Sequence, residues 1–164
     1  MFKINDYVRY GAKGVFQIKE IQKRRDKNNK RCEWYVLYSN SDGVETKIIT
    51  PANNNTLRKV LTKEEAYALL DQIDSLDLIW DVNKRTRDEM FHDILVSSDL
   101  LKLAQLIKSI HFVREEKLKE GKDISQKDKD VYKNAENLLF EELSVCFDIK
   151  KDQVLDFILH HASK

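Results

Sequence analysis

The chain has 164 residues, 41% hydrophobic and 35% charged, a balance that fits one medium or two small globular domains and excludes a disordered chain. No apolar run approaches the roughly 18 residues a bilayer span needs, and the opening Met1-Phe2-Lys3-Ile4-Asn5-Asp6 lacks the apolar core of a secretory signal; a cytoplasmic protein with no membrane partner is expected. The net charge of +1 hides an asymmetry: residues 1–60 carry 13 Lys/Arg against 6 Asp/Glu, a net of +7, and residues 61–164 carry 16 against 22, a net of −6. A basic half and an acidic half predict two modules with different partners.

Three of the four glycines and the single proline fall before residue 60, in a segment that alternates in β fashion. Tyr7–Tyr10, Gly14–Ile21, Glu33–Tyr38 and Val44–Ile49 are rich in β-branched and aromatic residues and predict strands. Gly11-Ala12-Lys13-Gly14 reads as a turn, Asp26–Lys30 as a polar loop tip, and Ser41-Asp42-Gly43 as a tight turn. Four short strands in this space predict a small SH3- or Tudor-like β-barrel over residues 1–60.

The rest predicts a compact all-α domain of about five helices over residues 61–164, which makes the fold class α+β. Thr62-Lys63-Glu64-Glu65 is a capping box opening the first helix, with Ala66, Leu69, Leu70 and Ile73 on one side. Ser75 to Leu78 reads as a linker, and a second helix is expected over about 82–96. A third runs from about Asp99, capped by Ser97 or Ser98, with Leu100, Leu103, Leu106, Ile107, Ile110 and Val113 recurring at three and four and a stop near Gly121. Ser125 with Asp128 opens a fourth, carrying Val131, Ala135, Leu138, Leu139 and Leu143, and a fifth is expected near 150–161.

Catalytic chemistry is missing from the pattern. There is no phosphate-cradling glycine loop and no Gly-x-Ser-x-Gly elbow. Cys32 and Cys146 fit neither a disulfide framework nor a zinc motif and read as small buried groups. His92 and His111 read as ordinary surface or interface side chains, and adjacent His160 and His161 point about 100° apart on a helix, a poor metal clamp. The carboxylates follow the exposed helix faces. The expectation is a protein that is not an enzyme, with no catalytic residue, metal, cofactor or small-molecule substrate.

Two constellations point to binding. Lys23, Arg24, Arg25, Lys27, Lys30 and Arg31 cluster at the expected hairpin with only Asp26 opposing, which suits an acidic partner or a nucleic acid; the plain alternative is a solvated loop. Trp80 is followed by Lys84, Arg85 and Arg87. An apolar side chain that slips between base steps beside cations that hold phosphates would bind a distorted minor groove, and Trp80, Lys84 and Arg87 would share one face if the helix began early. The plain alternative is a tryptophan that packs the linker onto the helices. Asp81, Asp88 and Glu89 offset the local charge, so free DNA should bind weakly.

Taken in order, these segments resemble the CarD family of bacterial transcription regulators. The resemblance rests on Phe2–Tyr10 with Gly14-Val15, Glu33-Trp34-Tyr35-Val36-Leu37, Ile49–Asn53, Leu57–Leu61 and the stretch from Asp99 to Leu143, and covers nearly the whole chain. It implies an N-terminal Tudor-like domain that binds the β subunit of RNA polymerase and a helical domain that contacts promoter DNA at the upstream edge of the melted bubble. Arg24 falls at a polymerase-contacting position beside Lys23 and Arg25; Lys47 is the candidate for a second such contact, with Ile49 as the other alignment. Trp80 matches the family's minor-groove wedge, and Lys84, Arg85 and Arg87 its following basic residues. The implied partners are polymerase and, weakly and within its complex, promoter DNA; the implied location is the nucleoid, through polymerase. The rival reading is a polymerase-binding adaptor without a DNA contact.

Overall fold

A computed structural model describes residues 2–41 and 43–162. The chain is α+β and divides into two compact units, Met1–Val60 and Leu61–Lys164.

The first unit is an antiparallel sheet of β1 (Tyr7–Tyr10), β2 (Val15–Arg25), β3 (Arg31–Ser41), β4 (Val44–Pro51) and β5 (Leu57–Lys59), in the order β4-β3-β2-β1-β5. Among the described residues the ladder is open, with β4 and β5 at its ends, where a closed barrel of four strands was expected. The added strand, β5, pairs Leu57 with Tyr10 and Lys59 with Val8. Three residues are too few for alternation to reveal a strand. Val8, Phe16, Ile18, Tyr35, Leu37 and Leu57 form the core of this unit. The apolar spacing in β2 needs one irregularity: Ile18 opposes Leu37 and Ile21 opposes Tyr35, so both lie on the core face although three residues apart. A bulge between Ile18 and Glu20 absorbs the odd residue. The Gly11–Lys13 turn is a single 3₁₀ turn closed by Gly14, whose φ of 101° and ψ of −154° suit glycine alone. Of the Ser41-Asp42-Gly43 turn, Asp42 lies outside the described residues; Ser41 pairs with Val44 across it.

The second unit has five helices: α1 (Lys63–Gln72), α2 (Lys84–Val96), α3 (Leu100–Lys119), α4 (Gln126–Phe147) and α5 (Val154–Ala162). Each starts where local chemistry allows. The capping box is present in full, Thr62 Oγ1 accepting from Glu65 N–H and Glu65 Oε1 from Thr62 N–H, both at 3.1 Å. Ser125 caps α4. The cap of α3 is Asp99, which accepts from Leu101 and Lys102 N–H, rather than either of the preceding serines. Asn83 caps α2, so that helix begins two residues later than expected. Gly121, at φ 75°, ends α3 with Lys122 N–H reaching back to Lys117 carbonyl oxygen, a Schellman closure. Leu103, Leu106, Ile110, Ala135 and Leu143 are wholly buried. Burying each large aliphatic side chain contributes about 1.5–3 kcal/mol.

Two expectations about polar groups are corrected. Not all carboxylates follow exposed faces: Asp128 and Glu142 are buried, and Glu142 Oε2 accepts from Leu61 N–H at 3.0 Å. Neither cysteine is fully buried; both are half-buried and bond to backbone, Cys32 to Arg24 carbonyl oxygen and Cys146 to that of Leu61. Among the described residues, no helix is long and apolar enough to cross a membrane.

Candidate functional site

The basic cluster of the sheet unit sits on the β2–β3 hairpin. The register pairs Lys23 with Glu33, Arg24 with Cys32 and Arg25 with Arg31, and Asp26 Oδ1 closes the loop by accepting from Asn28 and Lys30 N–H. Directly opposed residues share a sheet face, and so do residues two apart. Arg24 therefore lies with Gln22, Trp34, Tyr38, Lys47 and Ile49, because Gln22 opposes Trp34, Tyr38 opposes Lys47 and Val36 opposes Ile49. Both cations lie over aromatic rings: the Arg24 guanidinium is 5.2 Å from the Trp34 centroid, and Lys47 Nζ is 5.8 Å from that of Tyr38. Arg24 also donates twice to Gln22 Oε1, at 2.6 and 3.0 Å. Lys47 and Ile49 thus belong to one face, whichever alignment is taken. Lys23 is on the opposite face, and Arg25 is engaged by Asn29 at the hairpin tip.

In the helical unit, residues 73–83 form a strap rather than a loose linker. A 3₁₀ turn, Ile73–Ser75, follows α1, and Lys108 of α3 donates to the carbonyl oxygens of Ile73, Asp74 and Leu76 at 2.8–3.0 Å. Gln105 donates to Asp77 carbonyl oxygen, and buried Ser109 accepts from Ile79 N–H at 2.8 Å. These three residues of one helix were missed from sequence, although Ser109 interrupts the apolar stripe of α3 and so marks a polar demand in the core.

The strap delivers Trp80 four residues before α2 begins, so the shared helix face expected for Trp80, Lys84 and Arg87 does not exist. The three meet by another route. Trp80 is half-buried, its ring edge-on to Phe91 at 5.9 Å, with the Arg87 guanidinium 4.3 Å from its centroid. Arg87 is itself buried, donating to Asp81 carbonyl oxygen at 2.9 Å and to Asp128 Oδ2 at 3.4 Å. It ties the strap, α2 and α4 together instead of facing solvent. Arg85 is exposed and pairs only loosely with Glu89, at 3.5 Å. Lys84 is exposed at the first position of α2.

Trp80, Val82, Lys84 and Lys117 line a cleft of about 360 Å³ together with Ser125 and the Arg87–Asp128 pair. The first turn of α2 carries no acid and three cations, Lys84, Arg85 and Arg87. Helix N-termini favour acids, because their unpaired N–H groups amount to about half a positive charge. The arrangement costs local stability. Further along, Asp123 is held well below the ordinary carboxylate range, at about 2, by the Lys129 ammonium first and then by Arg114 and Ile124 N–H.

The histidines lie elsewhere. His92 and His111 are exposed, and His161 Nε2 lies 2.7 Å from Asp71 Oδ1, its ring tilted against that of Tyr67 at 5.4 Å. The sequence did not reveal that link between α5 and α1. Among the described residues no three His, Cys, Asp or Glu side chains group as metal ligands would.

A comparison with curated proteins returned no match. Residues 59–159, more than half of the chain and including the whole strap and cleft, match the family model described as "CarD, C-terminal domain". The chain belongs to the CarD family.

Proposed function

We propose that this protein is a transcription regulator without enzymatic activity. Its sheet unit, the Tudor-like module of the family, binds the β subunit of RNA polymerase, and its helical unit contacts promoter DNA at the upstream edge of the melted bubble. The observation that carries this reading is the first turn of α2 beside Trp80, whose charged residues are all cations, a locally unfavourable choice that family membership makes intelligible. The polymerase contact is assigned to Arg24 and Lys47, which share a face, with Lys23 and Arg25 adding charge at the hairpin. Lys84 and Arg85 are the phosphate contacts. Arg87 acts through Trp80 as a positioning residue, because its guanidinium is buried inside the unit against Asp81 and Asp128.

The mechanism is linkage. Tethering to polymerase holds the helical unit near the promoter at an effective concentration of about millimolar, so a DNA contact too weak to form freely becomes populated. If it forms better with melted than with closed DNA, it shifts the equilibrium by that difference; one to two kcal/mol changes the open fraction about five- to thirty-fold.

One observation favours a second reading, an adaptor without a DNA contact: Trp80 is half-buried and packed on Phe91. Open-complex lifetime on the cognate polymerase separates the two. Wild type is expected to extend it, Arg24→Glu to lose both the extension and binding to the β subunit, and Lys84→Glu to lose the extension while still binding. Lys84→Glu behaving as wild type would leave the adaptor reading in place. A wild type that neither binds polymerase nor alters the lifetime would refute both.

A further inference from the structure

The negative charge of the helical unit is not spread evenly. Residues 71–99, which comprise the end of α1, the strap and α2, carry eight Asp/Glu against three Lys/Arg, a net of −5 out of the unit's −6. Those three cations are Lys84, Arg85 and Arg87, at the start of α2. The last turn of the same helix has Asp93 and no cation. Unpaired carbonyl groups give a helix C-terminus about half a negative charge, so an acid there costs stability. A DNA contact accounts for the misplaced cations at one end of α2 and leaves the misplaced acid at the other end without a role. Some acids of the stretch are used inside the unit: Asp71 lies against His161, Asp81 accepts from Asn83 N–H, and Asp88 pairs with Lys127. Among the described residues, the exposed carboxylates of Asp74, Asp77 and Asp93 have neither a hydrogen bond nor an ion pair.

Asp93 belongs to a groove of about 500 Å³ between the strap, α2 and α3, separate from the Trp80 cleft. Ile79 of the strap and Met90 and Ile94 of α2 give it apolar walls, and Lys102 and Gln105 of α3 complete the lining. Its acids are Glu89 and Asp93, both exposed. Four residues apart on one helix, these two are neighbours on its surface. Glu89 has only the loose 3.5 Å pairing with exposed Arg85. An apolar groove edged by two acids one helical turn apart is complementary to an amphipathic helix that carries cations one turn apart beside its apolar face. Unbranched Met90 can adapt its shape to the side chains that enter. Charge argues against the other occupants: a stretch of net −5 repels a nucleic-acid backbone and an acidic peptide alike.

We propose that the groove between the strap, α2 and α3 docks a lysine- or arginine-rich amphipathic helix of a partner protein, with Glu89 and Asp93 as its charge contacts. The proposal is independent of the promoter reading, and its test uses the full chain without polymerase or DNA. The probe is a fluorescent amphipathic peptide of leucine and lysine, about four helical turns long, followed by anisotropy. Wild type is expected to bind it, and to bind a leucine–glutamate peptide of the same pattern at least about tenfold more weakly, because like charges then meet in the groove. That comparison needs no variant. Glu89→Gln combined with Asp93→Lys should weaken the lysine peptide about tenfold. Its melting temperature should hold or rise, because Asp93→Lys corrects the charge at the C-terminal end of α2. Glu115→Gln combined with Glu116→Lys makes the same change in net charge at exposed positions of α3 and should bind as wild type does. Equal loss in the two double variants would reduce the effect to net charge and overturn the site. So would a wild type that ignores the lysine peptide or takes the glutamate peptide equally well. Sedimentation that shows wild type self-associating, and the Glu89→Gln/Asp93→Lys protein not, would make the occupant a second copy of this chain and overturn the partner assignment.

Discussion

Taking a guanidinium out of water is expensive unless its donors are satisfied, and at Arg87 they are only partly so: Nε, like Asp128 Oδ1, is buried without a hydrogen-bond partner, and the ion pair is a single 3.4 Å contact. Such a pair adds little net stability, yet breaking it strands a charge. Arg87→Met is expected to lower unfolding free energy in urea by about 3–5 kcal/mol. Adding Asp128→Leu should recover much of that loss. Recovery stays incomplete because Asp128 also sits in the first turn of α4, where a negative charge is favourable. Asp123 behaves differently, because its partners are partly solvated and lower its pKa from 3.8 to about 2. A carboxyl whose folded pKa is depressed stabilises fully above its unfolded value and loses that contribution as pH falls through the folded one. Wild-type melting temperature should therefore fall between pH 3.8 and about 2, and Asp123→Asn should remove this part of the acid limb. The difference between the two proteins should close below that window. Asp123 and Asp128 are identical letters five positions apart; only their surroundings, one on the surface between Lys129 and Arg114 and one in the interior, give them different roles.

The element that positions the cleft is the strap, and Lys108 is its main fastening. The last carbonyl groups of a helix have no partners within it. Past the end of α1, one ammonium collects three carbonyl oxygens of the 3₁₀ turn and the residue after it, Ile73, Asp74 and Leu76. Lys108→Met removes those bonds while keeping most of the aliphatic stem. Net worth of about 1–1.5 kcal/mol should be lost locally, so amides from Leu76 to Asn83 should exchange about tenfold faster, with the core of α3 and α4 unchanged. Helix identity was readable from periodicity, and two starts were readable from their caps, Thr62 and Ser125, whereas α3, expected to be capped by Ser97 or Ser98, is capped by Asp99. The strap was not readable. Its bonds run from side chains about thirty residues away to backbone carbonyls, a pairing that no local pattern announces. The short β5 escaped for a similar reason, since it exists through pairing with β1.

At the scale of the molecule, charge and architecture divide at the same place: the net +7 segment coincides with the sheet unit and the net −6 segment with the helical unit. A unit of net −6 repels DNA on average, so its proposed DNA contact depends on the local cations of α2 and on a tether. A tethered mechanism makes a distinctive demand on concentration. Excess Arg24→Glu protein, added at tens of micromolar, should fail to restore open-complex lifetime, because it stays about two orders of magnitude below the effective concentration a tether provides. Restoration at that level would show that the helical unit binds promoter DNA without polymerase.

Local rules were enough for the two-part division, the α+β class, the helices and two of their caps, Thr62 and Ser125, because alternation, periodicity and capping each act within a few residues. The same residues carried the family resemblance, which the match over residues 59–159 shows. Tertiary structure decided what the candidate residues do. It removed Trp80 from the helix, turned Arg87 inward onto Asp128, and placed Arg24 with Lys47 on one sheet face. These outcomes depend on burial and long-range pairing, which set whether a cation meets solvent, a ring or a buried acid.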